Sequence, residues 1–164
     1  MKIGKCSSYR LSIENTKRDS LFLQTSFPTE MAKGLETHRE RQNQLSLLGK
    51  DLTRRSRAKC ELCTESGVSL SIFEVPPAPK EPALDQVLHL CETCSSQLDK
   101  PKSMLPGHWR ILSETIWSEI PAAQVMSVRV LKHLAKSESW AQEILEDAYL
   151  EEEVEEWIAK EALK

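Results

Sequence analysis

Residues 60–94 read CELCTESGVSLSIFEVPPAPKEPALDQVLHLCETC, and their spacing decides the fold. Two CxxC pairs, Cys60/Cys63 and Cys91/Cys94, stand 27 residues apart. A CxxC turn sets two sulfurs on one side of a tight loop, and two such turns complete a tetrahedron of thiolates. Four soft ligands in that array suit zinc, leave no open position for a substrate, and point to a structural ion. A pair of redox CxxC motifs is the competing reading, but neither pair has the βαβ setting in which a thioredoxin-like motif sits between a strand and a helix. His89, in the apolar run VLHLC, reads as a hydrogen-bonded packing residue, and His38, His108 and His133 show no ligand spacing.

Between the pairs, SLSIFEV alternates as a strand does, Leu70 and Ile72 against Ser71, Phe73 and Val75. Four prolines follow within residues 76–82, which fixes φ, removes amide donors and makes a stiff extended loop. VLHLC is apolar again, and ETCSSQLD reads as a short helix stopped before Pro101.

Upstream, residues 34–57 are good helix formers, and Leu45, Leu48 and Leu52 recur at i, i+3 and i+7, with Gly49 marking a break. Arg54, Arg55, Arg57 and Lys59 crowd the end of this helix, where positive charge suits the helix dipole and where phosphates could also be met. Residues 1–30 are polar and rich in Ser and Thr; they read as a disordered extension in which Cys6 is incidental. Downstream of Pro106 the pattern is helical, with Pro121 opening one helix, Ser137 or Ser139 capping the next and an acidic helix last. Trp109, Trp117, Trp140 and Trp157 read as packing anchors between these helices. The expected organisation is a disordered 1–30, a basic helix at 31–59, a four-cysteine zinc module at 60–100 and a helical region at 101–164. The fold class is α+β, mostly helical, with a small treble-clef or zinc-ribbon-like module.

The 164 residues carry a net charge of −3 that hides a gradient. Residues 1–59 hold 13 Lys/Arg against 6 Asp/Glu, residues 60–100 hold 2 against 7, and residues 101–164 hold 7 against 12. A basic leading part can meet a polyanion or its own acidic half. No run of about 18 apolar residues and no signal-peptide pattern is present, so the expectation is a cytoplasmic protein without a membrane partner.

The order C-x2-C, SLSIFEVPP, proline loop, VLHLCETC resembles the treble-clef core of HNH endonucleases. The resemblance places Phe73 and Glu74 where that family has paired histidines, and Ser95 where it has a closing histidine. Those histidines supply the general base and the catalytic metal ligands. The frame therefore implies a scaffold without nuclease machinery. Residues 49–149 also resemble bacterial PhnA-type proteins, through LGKDLTRRSRAKCELC, LSIFEVPP, LHLCETC, PGHWRIL, WSEIPAAQVM and SWAQEILEDAYL. That resemblance implies a small zinc protein tied by name to alkylphosphonate utilisation. Two-metal hydrolysis of phosphonates needs several Asp and His ligands, and no such constellation is offered. Three functions follow as expectations: a noncatalytic zinc-binding adaptor for protein or nucleic acid, an enzyme of phosphonate or phosphodiester metabolism on a degenerate frame, and a redox-sensing zinc switch.

Overall fold

The computed structural model describes residues 29–163, so the expectations for residues 1–28, Cys6 included, lie outside the described residues. Helix α1 (Thr29–Leu47) is followed by α2 (Gly49–Ser56), with the break at Leu48 beside the expected Gly49. The helix begins at Thr29, so the last two residues assigned to the disordered extension are helical. Arg57 closes α2 in the left-handed region, its N–H bonding Thr53 O, and Ala58 shares that conformation.

The chain then forms the first cysteine turn and crosses into β1 (Leu70–Glu74), which pairs antiparallel with β2 (Val87–Cys91) in the register Ile72 opposite His89 and Phe73 opposite Leu88. Both faces of this hairpin are covered, which is why β1 is less cleanly alternating in burial than its sequence suggests. Ile72 and Val87 meet Leu45, Leu48 and Leu52 of the leading helices. Phe73, Leu88 and Leu90 instead face the large core. β2, buried at every position, reads as a continuous apolar run for that reason.

The proline loop between the strands is used through its carbonyls. Proline has no N–H but keeps its acceptor. Pro76 O accepts from Arg129 Nη1 at 2.6 Å and from Trp157 Nε1 at 3.0 Å, while Pro79 O and Lys80 O accept from Arg41. Stiff loop residues thereby anchor the hairpin to elements at both ends of the described chain.

Helix α3 (Glu92–Asp99) follows β2 directly, giving the cysteine-turn, hairpin and helix order of a treble clef. After it come 3-10 turns at Pro101–Ser103 and Pro106–Ile111, the single turn α4 (Leu112–Thr115), α5 (Pro121–Leu134), α6 (Ser139–Asp147) and α7 (Glu152–Lys160). Pro121 sits in the first turn of α5 as expected. Glu138, not a serine, occupies the N-cap of α6, and Ala148–Leu150 lie beyond that helix.

The segment after Pro106 is thus less helical than its apolar spacing implies, and Trp117 shows the consequence. α4 ends at Thr115, whose hydroxyl bonds Leu62 O at 2.9 Å. The chain then turns, so that Ile116 is buried and Trp117 is 53% exposed rather than packed. Trp109 is the true anchor: fully buried, its Nε1 donates to Gln97 Oε1 at 3.0 Å. Trp140 and Trp157 are half-buried against the same core.

That core is continuous. Cys60, Leu62, Leu90, Cys94 and Leu98 of the cysteine module join Leu112, Met126, Leu131, Val154 and Ile158 of the C-terminal helices in one apolar cluster. The fold is α+β and mostly helical, its two-stranded sheet held between the leading helices and the C-terminal bundle.

Candidate metal centre

Two local structures deliver the sulfurs. The first is the turn at Cys60–Thr64, where Thr64 N bonds Cys60 O at 2.9 Å and Cys60 N bonds Glu65 O at 2.8 Å. Thr64 takes a positive φ of 60°, which closes the loop beneath Cys60 and Cys63. The second is the junction of β2 and α3: Cys91 is the N-cap of α3, and its Sγ accepts from Cys94 N at 3.5 Å. A sulfur there takes the place of the usual Ser or Asp oxygen.

The four sulfurs lie within 4.8 Å of one another. Cys60 and Cys94 are 3.7 Å apart, and Cys63 and Cys91 are 3.6 Å apart. Ligands about 2.3 Å from a shared ion stand about 3.8 Å apart along a tetrahedral edge. Cys60, Cys63, Cys91 and Cys94 therefore fit one tetrahedral metal ion, and the sequence-predicted ligands are brought together.

The electrostatics of the bare thiols support the same conclusion. The hydrogen bond shared with Cys94, aided by surrounding backbone N–H groups and opposed by burial, holds Cys60 down at about 4. Burial pushes Cys63 up to about 12, and Cys94 is pushed up by its hydrogen bond with Cys60 and by burial. One thiolate is tolerated at the expense of its neighbours. Four thiolates in this space need a compensating cation.

Sequence spacing missed one contributor. His108, on the 3-10 turn after α3, places Nε2 at 3.2 Å from Cys94 Sγ. Its edge-on contact with buried Trp109, ring centroids 5.1 Å apart, fixes the imidazole. Such a ring N–H can hold a ligand sulfur in position from outside the coordination shell. The signal available was only its place next to Trp109 in PGHW. His89 is not a ligand: its Nδ1 lies 3.2 Å from Ser56 Oγ, and its backbone N donates to Glu61.

The four basic residues before the first cysteine do not form one surface. Arg55 turns inward, with Nε and Nη2 at 2.7 Å from the Glu61 carboxylate, and donates to Leu84 O and Val87 O as well. Arg54 pairs with Asp51 at the exposed surface, and Arg57 and Lys59 are exposed. The nucleic-acid candidate set therefore shrinks to Arg54, Arg57 and Lys59.

Glu74, at a paired-histidine position of the nuclease resemblance, is held by Arg41 through both carboxylate oxygens. Phe73 packs against the core, and neither residue reaches the sulfur cluster. A cleft of about 490 Å³ opens beside the cluster, with Cys63, Cys91, Glu65, Glu92 and His108 on its walls. Among the described residues no helix is long and apolar enough to cross a membrane. Comparisons with protein-family models, with curated proteins and with solved structures find no match to this chain.

Proposed function

We propose that the four cysteinates bind one zinc ion and that the chain is a noncatalytic PhnA-type zinc module acting as an adaptor for protein or nucleic acid. The observation that carries this reading is the set of four sulfurs within 4.8 Å of one another, two of its pairs at the spacing of a tetrahedral edge, which would fill the coordination of a d10 ion and leave no position for a substrate. Zinc is favoured over other ions by four thiolates in that geometry. His108 orients Cys94, and Cys91 caps α3 by accepting from Cys94 N. Zinc in such a site supplies folding energy of about 10–16 kcal/mol, enough to decide whether the module folds. The treble-clef order of turn, hairpin and helix supports the HNH-like frame, and the engagement of Glu74 with Arg41 speaks against a catalytic use of it.

The adaptor reading rests on what surrounds the centre. Arg54, Arg57 and Lys59 are each exposed within six residues of Cys60, suited to phosphate contacts whose affinity falls with salt. Capture of partners from cell extract by the intact chain and by Cys60→Ser tests the reading. A partner, protein or nucleic acid, retained only by the intact chain supports it; identical retention by both contradicts it.

One observation favours redox sensing as a second reading. Cys63 is half-buried, opens to the 490 Å³ cleft and stands 3.6 Å from Cys91. A hydroperoxide entering there would take two electrons from this pair, leaving a Cys63–Cys91 disulfide, an alcohol and water, and the metal would lose two ligands. Zinc release at low peroxide, with that disulfide mapped by mass spectrometry, distinguishes this reading from a purely structural ion.

A further inference from the structure

Around α7 the charges are sorted. On one side Glu151, Glu153 and Glu156, with Asp85, outnumber the single base Lys160 in a cleft of about 460 Å³ that Trp157 also lines. On the other side a cavity of about 350 Å³ is lined by Arg129, Lys132, His133 and Lys136 over an apolar wall that includes Ile158 and Leu163. Residues 101–164 contain 7 Lys/Arg and 12 Asp/Glu, yet three of those bases and none of those acids line this second cavity.

Helical geometry makes the arrangement specific. Positions 129, 132, 133 and 136 follow i, i+3, i+4 and i+7, so the four side chains share one face along α5 and its exit. Like charges at those spacings repel. Attraction to the C-terminal end of α5 accounts for Lys132 and His133, which lie in its last turn. It does not account for Arg129, which lies farther back in the helix and is only 4% exposed. Arg129 donates to Pro76 O and Trp157 O, both neutral acceptors, and its Nε has no hydrogen-bond partner. Glu161, from an adjoining cavity, offsets part of its charge.

We propose that this cavity binds a phosphate monoester with a compact apolar body, its phosphate among Lys132, His133 and Lys136 and its body against Ile158 and Leu163. Two ammonium groups and an imidazole suit a dianion better than a monocarboxylate, and the apolar wall distinguishes an ester from the free ion. The volume lies in the range of small-ligand sites. Arg129 sets the local positive potential while its own donors hold the proline loop and α7 in place. The cavity shares no lining residue with the sulfur cluster or the cleft beside it, and the proposal does not depend on the metal reading.

Titration of the full zinc-loaded chain with phenyl phosphate, inorganic phosphate and benzoate, followed by calorimetry and by amide shifts of residues 129–136 and 158–163, tests the proposal. Saturable binding of phenyl phosphate, tighter than either other ligand and weakened about tenfold or more in Lys132→Ala/Lys136→Ala, is the expected result. Both lysines are exposed, so the double variant keeps its fold, which its circular dichroism checks. Absence of saturation, equal affinity for inorganic phosphate or benzoate, or undiminished binding by the double variant would overturn it.

Discussion

Arg55 and Glu61 form a two-pronged ion pair, both bonds 2.7 Å long, across the junction between α2 and the first cysteine turn. The Glu61 side chain is 3% exposed, and it also accepts from His89 N at 2.8 Å in β2. One carboxylate thus ties the leading helix, the turn carrying Cys60 and Cys63, and the strand leading into Cys91. Removing either partner strands the other in a largely desolvated position. Glu61→Ala is expected to cost about 3–5 kcal/mol in urea unfolding of the metal-loaded protein. A loss within about 0.5 kcal/mol, the scale of ordinary surface changes, would show that the pair does not organise the module.

His108 is expected to tune metal affinity without providing a ligand. His108→Ala removes the ring nitrogen facing Cys94 and should weaken zinc binding about 10–100-fold in chelator competition, with one ion per chain retained. Loss of stoichiometric binding would instead make the imidazole a ligand, and unchanged affinity would make the contact incidental.

The tryptophans divide by burial. Trp109→Ala empties a fully buried site and deprives Gln97 Oε1 of one donor, so a loss of about 3–5 kcal/mol is expected. Trp117→Ala, at an exposed position, should stay within about 0.5 kcal/mol. Comparable losses for the two would contradict the packing described for the segment after Pro106.

The exposed basic residues give a contrast between neighbours in sequence. Under the nucleic-acid form of the adaptor reading, replacing Arg54, Arg57 and Lys59 by Gln lowers duplex affinity and reduces the salt slope by about 0.9 for each phosphate no longer neutralised, with stability preserved. Arg55→Gln should do the reverse, lowering stability through Glu61. Duplex affinity and salt slope unchanged by the triple replacement would remove these residues as phosphate contacts.

These contrasts mark where the sequence was legible. The four-cysteine cluster could be read because CxxC spacing and a tetrahedron impose one another locally, and the first strand because apolar residues alternate in SLSIFEV before the prolines, whereas VLHLC showed only as an apolar run and its pairing with that strand was not read. Pro121 and the leucines at 45, 48 and 52 likewise carry their roles in their spacing. Arg55 could not be separated from Arg54 and Arg57, because a basic helix end looks the same whether its side chains face solvent or a carboxylate brought in from the next turn. His108 reaches Cys94 through a chain reversal that no short spacing encodes. Trp117 shares the helical period of Trp109, yet the helix stops at Thr115, whose hydroxyl is taken by the cysteine turn. In each case a tertiary contact overrode a local pattern.

The metal content of the purified protein tests the central claim most directly. Inductively coupled plasma mass spectrometry should find one zinc per chain, lost in Cys60→Ser, with strong chelation collapsing the circular dichroism and amide spectrum of residues 60–100. Metal-free protein whose spectra survive chelation unchanged would contradict a fold built around four cysteinates.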